Sequence, residues 1–226
     1  HMNLTSANSI NVARFLPQAF YYFNAYAQAK KLGKADNLTI CVPSGNFGNI
    51  TAGLFAQRMG LPIMNFIAAN NANDIFYNYL LSGIYSPKAS IQTIANAMDV
   101  GDPSNFARIL DLYKSSHAEI CNHISGATYS DDEIAATMKK CYEQTGYVLD
   151  PHGACGYQAL KDNLKEGETG VFLETAHPAK FKEKVDAILS TDIEIPTRLA
   201  DFMKGKKQSL EMAADFSAFK QFLLSV

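Results

Sequence analysis

The chain has 226 residues, of which 47% are hydrophobic, and its 20 basic and 22 acidic residues leave a net charge of −2. This composition indicates a folded domain with a sizeable core and gives no basic footprint for nucleic acid. No apolar run reaches the roughly 18 residues that a membrane span requires, and no signal peptide is recognisable at the start.

The first third of the chain predicts α/β layering. A largely buried helix rich in aromatic residues is expected over residues 10–32, with Pro17 in its first turns or at a kink. Apolar runs at 38–43 and 61–69 are typical of buried parallel strands. Between them a helix is expected to begin near Gly48 and to end at Gly60. This order predicts a parallel sheet with flanking helices.

The rest of the chain is mostly helical by pattern. Short helices are expected within residues 71–83 and 106–115, and a longer one at 131–145 begins with the capping-box spacing of Ser130 and Glu133. Asp150 is placed to cap a helix at 151–164, a third buried strand is expected at 170–176, and a helix at 177–189. We therefore predict one domain over residues 3–194 and a helical tail over 195–226 that packs on it.

The ends and the cysteines indicate the origin of the chain. His1 and Met2 are typical of a cloning remnant, and the abrupt start after them predicts a chain that begins in mid-protein. Neither a zinc site nor a secreted disulfide scaffold is expected, because the cysteines are far apart, and reduced thiols in a cytoplasmic protein are the better interpretation. These cysteines are Cys41, Cys121, Cys141 and Cys155. His152 and His177 have no partner at ligand spacing, so no metal is expected, and no paired carboxylate stands out.

The stretch PSGNFGN joins the first predicted strand to the helix after it. A loop in this position presents free N–H groups and the positive end of the helix dipole, and glycines allow an anion to approach. It has neither the lysine of a Walker loop nor the third glycine of a dinucleotide fingerprint. A phosphate site and a plain left-handed turn are equally good interpretations of the spacing. The loop residues are Ser44, Gly45, Asn46, Phe47, Gly48 and Asn49.

Two other stretches are candidate sites. Thr175 ends the third predicted strand, at the sheet edge where ligands gather, although the spacing favours a simple helix-capping role. Around a helix start, small polar side chains and a cation suit a phosphate or a carboxylate, and capping plus a solvated arginine explains them equally well. These residues are Asn8, Ser9, Asn11 and Arg14.

Several motifs together resemble the threonine synthase family, whose members are pyridoxal-phosphate (PLP) enzymes of fold type II. In the order of that family, the chain carries NSINVAR, YYFNAYAQ, VPSGNFGNITAGL, MGLPI, SPKAS, NAMDV, LDPHGA and TAHPAKFKEKVDAIL. The resemblance implies part of a large α/β domain like that of tryptophan synthase β. It extends to the C-terminal half of the family only. A segment with the Schiff-base lysine has no match, so the resemblance implies no catalytic residue here and an inactive fragment.

The resemblance also implies roles for the candidate residues. The loop from Ser44 to Asn49 would hold the PLP phosphate, and Thr175 would hydrogen-bond the pyridine nitrogen. The segment from Asn8 to Arg14 would lie near the phosphate of the substrate. The intact enzyme would be a lyase of threonine biosynthesis that converts O-phospho-L-homoserine and water to L-threonine and phosphate. Family loops often carry an acid where this chain has Asn49, which changes the local charge but not the backbone donors.

Two alternatives remain open. One is another fold-type-II enzyme, a dehydratase or a relative of cysteine synthase, against which the motifs NAMDV and TAHPAKF argue. The other is a phosphate-binding α/β module without catalysis. A small-molecule substrate is the expected partner, with neither nucleic acid nor membrane. Because half of a sheet exposes apolar surface, self-association of the fragment is also predicted.

Overall fold

A computed structural model describes Thr5, residues 8–206 and residues 208–225. His1 and Met2, interpreted above as a cloning remnant, lie outside these residues. One compact unit ends at Ile193 and a second begins at Glu194. The packing of the tail on the first unit stays a prediction. Within the part of the chain that is described, no helix has the length and the apolar character to cross a membrane.

A four-stranded parallel sheet forms the centre of the first unit. Its strands are β1 (Leu38–Pro43), β2 (Asn65–Asn70), β3 (Ile124–Thr128) and β4 (Thr169–Phe172), in the spatial order β3-β2-β1-β4. Ile40 and Val42 pack in one hydrophobic core and Cys41 in another, because successive residues of a strand face opposite sides of the sheet. Both faces of β1 are therefore covered. The predicted parallel sheet with flanking helices is confirmed.

Helices connect the strands and cover the sheet. In chain order they are α1 (Val12–Phe15), α2 (Ala19–Lys31), α3 (Gly48–Arg58), α4 (Ile75–Ser82), α5 (Phe106–Leu112), α6 (His117–His123), α7 (Asp131–Thr145), α8 (Pro151–Asn163) and α9 (Lys182–Leu189). The second unit contains α10 (Thr197–Met203) and α11 (Phe216–Ser225). Short 3-10 turns occupy Leu16–Gln18, Asn96–Met98 and Pro178–Phe181.

The first predicted helix differs from the observed one in continuity and in burial. Pro17 lies in a 3-10 turn between α1 and α2, where its missing N–H is tolerated. Phe15 and Tyr22 are buried against the core, but Phe20 is 73% exposed and Tyr21 is 58% exposed. The prediction of a largely buried helix is wrong, because α2 presents only one of its faces to the core.

Local signals located most of the other helix ends correctly. Ser130 and Glu133 form a capping box at the start of α7, and Gly146 ends that helix with φ of +72°. Asp150 caps α8, as predicted, by accepting a hydrogen bond from the N–H of His152.

The last two strands differ from the predictions. Sequence patterns did not predict β3, in which Ile124 is buried but the four residues after it are small and at least partly exposed. The strand predicted at 170–176 was expected to be buried, but β4 is only half-buried. Its position at the end of the strand order explains this difference, because an edge strand has a neighbour on one side only.

Candidate functional site

The loop between β1 and α3 carries a run of backbone N–H groups that lack a protein acceptor. Within the described chain, no N–H from Gly45 to Ile50 donates to a backbone or side-chain oxygen, whereas the N–H of Ser44 donates to Ala69 O at 2.8 Å. Phe47, at the N-cap of α3, makes no side-chain capping bond. These N–H groups and the positive end of the helix dipole together form an arrangement that suits an anion.

Two loop residues set this backbone shape. A Cβ at Gly45 would lie 2.6 Å from Met98 Cα and 2.9 Å from Ala97 O, so the loop and the turn beside it approach too closely for any other residue. Phe47 has φ of +61°, in the left-handed region that non-glycine residues rarely adopt. Its ring packs against that of Phe76 with centroids 4.5 Å apart, and this packing stabilises the strained conformation.

Polar side chains support the loop from the outside. Asn46 Nδ2 donates to Ser9 Oγ, and Asn105 Nδ2 donates to the backbone oxygen of Asn46 at 2.9 Å. Arg108 in turn donates to Asn105 Oδ1 and to the backbone oxygens of Ser9 and Ile10. Sequence reasoning missed Arg108, because its surroundings have the pattern of an ordinary amphipathic helix. The loop is thus tied to the segment that carries Ser9.

A cavity of ≈ 820 Å³ lies beside the loop and brings together three predicted site residues, Arg14, Asn49 and Thr175. Asn49 accepts a hydrogen bond from the hydroxyl of Tyr22 at 2.8 Å. Burial raises the pKa of Tyr22 well above its ordinary value, so this hydroxyl stays protonated and remains a donor. Tyr22 is a second residue that the sequence did not single out, although it belongs to the aromatic run of α2.

Thr175 is exposed, and among the described residues its hydroxyl has no hydrogen-bond partner. His177 is the residue that caps the turn after β4, since its Nδ1 accepts from the N–H of Ala179 at 3.1 Å. The capping role that the spacing favoured for Thr175 is therefore wrong. Thr175 lines the cavity three positions beyond the last residue of β4.

The other predicted residues lie around this cavity rather than along it. None of the described residues from Ser44 to Gly48, nor Asn8, Ser9 or Asn11, lines it. The hydroxyl of Ser44 is buried and donates to Val42 O at 2.8 Å. Asn8 and Asn11 each accept a hydrogen bond from an N–H two residues further on. Their side chains therefore shape the local turns, and Ser9 contacts the loop.

A pair of carboxyl groups lies in the cavity wall beside Thr175. Glu174 lines the cavity, and its Oε1 accepts from the N–H of Asp150 at 3.2 Å. The Asp150 side chain is fully buried beside the Glu174 carboxyl group. Burial and then the charge of Asp150 raise the pKa of Glu174 to about 8. No paired carboxylate stood out in the sequence, because these two acids are 24 positions apart.

Two kinds of site residue were also considered in the sequence, metal ligands and lysines. In the described part of the chain, His, Cys, Asp and Glu residues form no group that could hold a metal ion. Among the described residues that line the cavity there is also no lysine. What this arrangement can do is bind an anionic group on the loop and place a hydroxyl, an amide and a guanidinium around one cavity.

Comparisons with known proteins identify relatives of this chain. The model of the family described as "Pyridoxal-phosphate dependent enzyme" matches residues 5–175, and the model described as "Threonine synthase, C-terminal" matches residues 153–223. Threonine synthase of Haemophilus influenzae is 48% identical over 223 residues, which are 99% of this chain and 52% of that protein. The chain thus spans about half the length of the curated relatives that it matches.

Solved structures agree with these matches. The crystal structure of threonine synthase from Escherichia coli superposes with a TM-score of 0.89 at 43% identity, over 98% of this chain and 51% of that one. The PLP-bound threonine synthase from Brucella melitensis gives a TM-score of 0.87 at 35% identity, over 97% of this chain and 52% of that one.

Proposed function

This chain belongs to the pyridoxal-phosphate-dependent enzyme family, and we propose that it forms the phosphate and pyridine side of the cofactor site in a threonine synthase. The resemblance to threonine synthases and the fold-type-II class are confirmed by the family models and the solved structures. The activity and the substrate of the whole protein belong to the proposal, because the chain spans about half of these relatives.

The observation that carries the proposal is the run of N–H groups from Gly45 to Ile50 at the start of α3. A phosphate monoester has several acceptor oxygens and a negative charge, and such a run can bind it without a basic side chain. The close approach at Gly45 keeps the loop in this conformation. These features fit the phosphate of PLP, and we assign Ser44 to Asn49 to its binding.

Thr175 is assigned to the pyridine nitrogen of the cofactor. Thr175 lines the same cavity as Asn49, and its hydroxyl has no hydrogen-bond partner among the described residues. PLP, when bound, supplies an electron sink for negative charge that develops on substrate carbons. A neutral hydroxyl donates a hydrogen bond to the ring nitrogen but does not hold it protonated, so Thr175 orients the ring and leaves a weaker sink than a carboxylate would.

The substrate phosphate is assigned to the other side of the cavity. Arg14 lines it, and a guanidinium stabilises the charge of a departing phosphate. Asn8, Ser9 and Asn11 shape and support that segment. We propose that the whole protein converts O-phospho-L-homoserine and water to L-threonine and phosphate, in the cytoplasm. No lysine of this chain is assigned to the covalent link with the cofactor, because no described lysine lines the cavity.

Equilibrium dialysis of the chain with PLP and with pyridoxal, which lacks the phosphate, tests the assignment of the loop. We expect PLP to bind about tenfold or more tightly than pyridoxal, and inorganic phosphate to compete with PLP. Gly45→Ala should remove this preference and leave the weak binding of pyridoxal unchanged, since its Cβ would displace the loop. Equal affinities of the unaltered chain for PLP and pyridoxal would refute the phosphate assignment. Circular dichroism of the variant checks that it folds.

A further inference from the structure

The carboxyl groups of Asp150 and Glu174 meet where α8 begins and the chain leaves β4. Asp150 is the N-cap of α8 and is fully buried, and its N–H donates to Glu174 Oε1 at 3.2 Å. One oxygen of each acid, Asp150 Oδ2 and Glu174 Oε2, is buried without a hydrogen-bond partner. Each of these oxygens would carry a desolvation penalty if both groups were ionised.

The partners of Asp150 show which oxygens are already used. The N–H of His152 donates to Asp150 Oδ1 at 2.8 Å, and His152 Nδ1 lies 2.7 Å from the same oxygen. His152 Nε2 accepts from the N–H of Ala97 at 3.1 Å, so the ring proton is on Nδ1 and is donated to Asp150. Oδ1 therefore has two donors, and Oδ2 is the oxygen that is left without one.

A single proton between the two unpartnered oxygens would satisfy both of them. If Glu174 Oε2 carries a proton and donates it to Asp150 Oδ2, every carboxyl oxygen of the pair has a partner. We propose that Asp150 and Glu174 share one proton at neutral pH, and that this shared proton fixes the backbone of Thr175 at the cavity wall. Glu174 is thus a positioning residue that acts through its neighbour in the chain.

The packing of Glu174 on α8 explains how the carboxyl pair restricts the position of Thr175. A Cβ on Gly153 would lie 2.0 Å from Glu174 Oε2, so the carboxyl group rests directly on the first turn of the helix. Because the next residue in the chain is Thr175, anchoring the Glu174 side chain restricts the backbone that carries the Thr175 hydroxyl. The part of the proposal that concerns cofactor orientation rests on the proposed function, and the sharing of the proton does not.

The surroundings of the pair are consistent with a neutral Glu174. The titratable and charged groups around it are Asp150, the ring of His152 beyond Asp150, and Arg14 and Tyr21, which line the same cavity. Tyr147 also lies nearby, and burial, followed by the charge of Glu174, raises its pKa, so it carries no charge near neutral pH. No cation among the described residues pairs with either acid. Burial and the Asp150 charge accordingly raise the pKa of Glu174 to about 8.

The first test follows the proton itself in the whole chain without cofactor. Carboxyl ¹³C NMR of protein labelled at glutamate, with Glu174→Gln used to assign the signal, should show one glutamate that stays protonated at neutral pH. In Asp150→Asn, which retains an N-cap residue, an amide N–H replaces the shared proton, and the pKa of Glu174 should fall. Ionisation of Glu174 in the ordinary range of exposed glutamates would overturn the proposal.

The second test follows the position of Thr175. Amide hydrogen exchange of residues 173–176 is compared at each pH between the unaltered chain and Glu174→Gln, whose amide donates to Asp150 at every pH. From about pH 6 to about pH 9, protection in the unaltered chain should fall about tenfold relative to Glu174→Gln, as Glu174 loses its proton. Glu166→Gln, at an exposed site, is the control and should behave as the unaltered chain does.

The outcomes separate this proposal from the proposed function. The predicted pH dependence, present in the unaltered chain and lost in Glu174→Gln, supports the positioning role. Identical protection profiles in both proteins would overturn that role. A failure of the proposed function would instead appear in dialysis, as equal affinities of the unaltered chain for PLP and pyridoxal, while the NMR titration and the exchange profiles are recorded without either compound.

Discussion

Gly153→Ala tests the contact between α8 and the segment after β4 with a single methyl group. Gly153 lies in the first turn of α8, and within a helix alanine is normally more stable than glycine by about 1 kcal/mol. Here the added Cβ would lie 2.0 Å from Glu174 Oε2 and 2.4 Å from Glu174 Cδ. We therefore expect the substitution to destabilise the protein, although helix propensity by itself predicts the opposite.

The size of the expected loss of stability follows from the displacement of the Glu174 carboxyl group. Overpacking at a tight contact typically destabilises by about 1–3 kcal/mol. Moving the Glu174 carboxyl away leaves the N–H of Asp150 without its acceptor, which destabilises by about 1–3 kcal/mol more. After the gain in helix propensity, we expect the free energy of unfolding to fall by about 2 kcal/mol. In a Glu174→Ala background the clash is absent, and Gly153→Ala should stabilise by about 1 kcal/mol.

Urea unfolding of the four proteins in this cycle, followed by circular dichroism, measures the coupling. We expect a coupling energy of about 3 kcal/mol and a reversed sign of the Gly153→Ala effect between the two backgrounds. Gly156→Ala is the control: its Cβ would meet Pro43 Cγ at 3.0 Å, so its effect should not depend on Glu174. Additive effects, or stabilisation by Gly153→Ala in both backgrounds, would show that the contact does not hold Glu174 in place.

Three further predictions concern Glu174 and the assigned site residues. The pKa of Glu174 rises from its ordinary 4.5 to about 8 on folding, so the folded state binds more protons between these values, and the free energy of unfolding should fall as pH rises through them. The slope should stay below the one-proton limit of about 1.4 kcal/mol per pH unit, since Glu174 is partly exposed. The urea midpoint of the unaltered chain should fall over this pH range relative to that of Glu174→Gln. Midpoints that change with pH in the same way in both proteins would contradict the prediction. Thr175→Val should weaken PLP binding about tenfold in dialysis, while the control Thr191→Val, at a residue that does not line the cavity, should leave it unchanged. Equal affinities of Thr175→Val and the unaltered chain for PLP would exclude Thr175 from the site. In a preparation that turns over O-phosphohomoserine, Arg14→Ala should raise KM or lower kcat, and the control Arg198→Ala should change neither. Normal kinetics of Arg14→Ala would refute the assignment of Arg14 to the substrate phosphate.

Local chemistry explains the parts of the fold that the sequence predicted. The run at 38–43 is apolar and β-branched, and it forms β1 with the predicted bounds. Ser130 and Asp150 begin their helices as predicted, because an N-cap needs only a short side chain and the next few N–H groups. The strand β3 was missed because the small residues that follow Ile124 form neither an apolar run nor a clear alternation. The exposure of Phe20 was missed because aromatic residues usually indicate a core.

The sequence by itself determined the family, the order of most elements and the loop at the start of α3, because motifs, caps and glycines act over a few neighbouring residues. Only the tertiary structure decided that Arg14, Asn49 and Thr175 line one cavity and that Glu174 meets Asp150. The physical reason is the strand order β3-β2-β1-β4, which places the chain after β4 beside the loop after β1. Residues far apart in the chain become neighbours because β1 and β4 pair, and no local sequence pattern predicts this pairing.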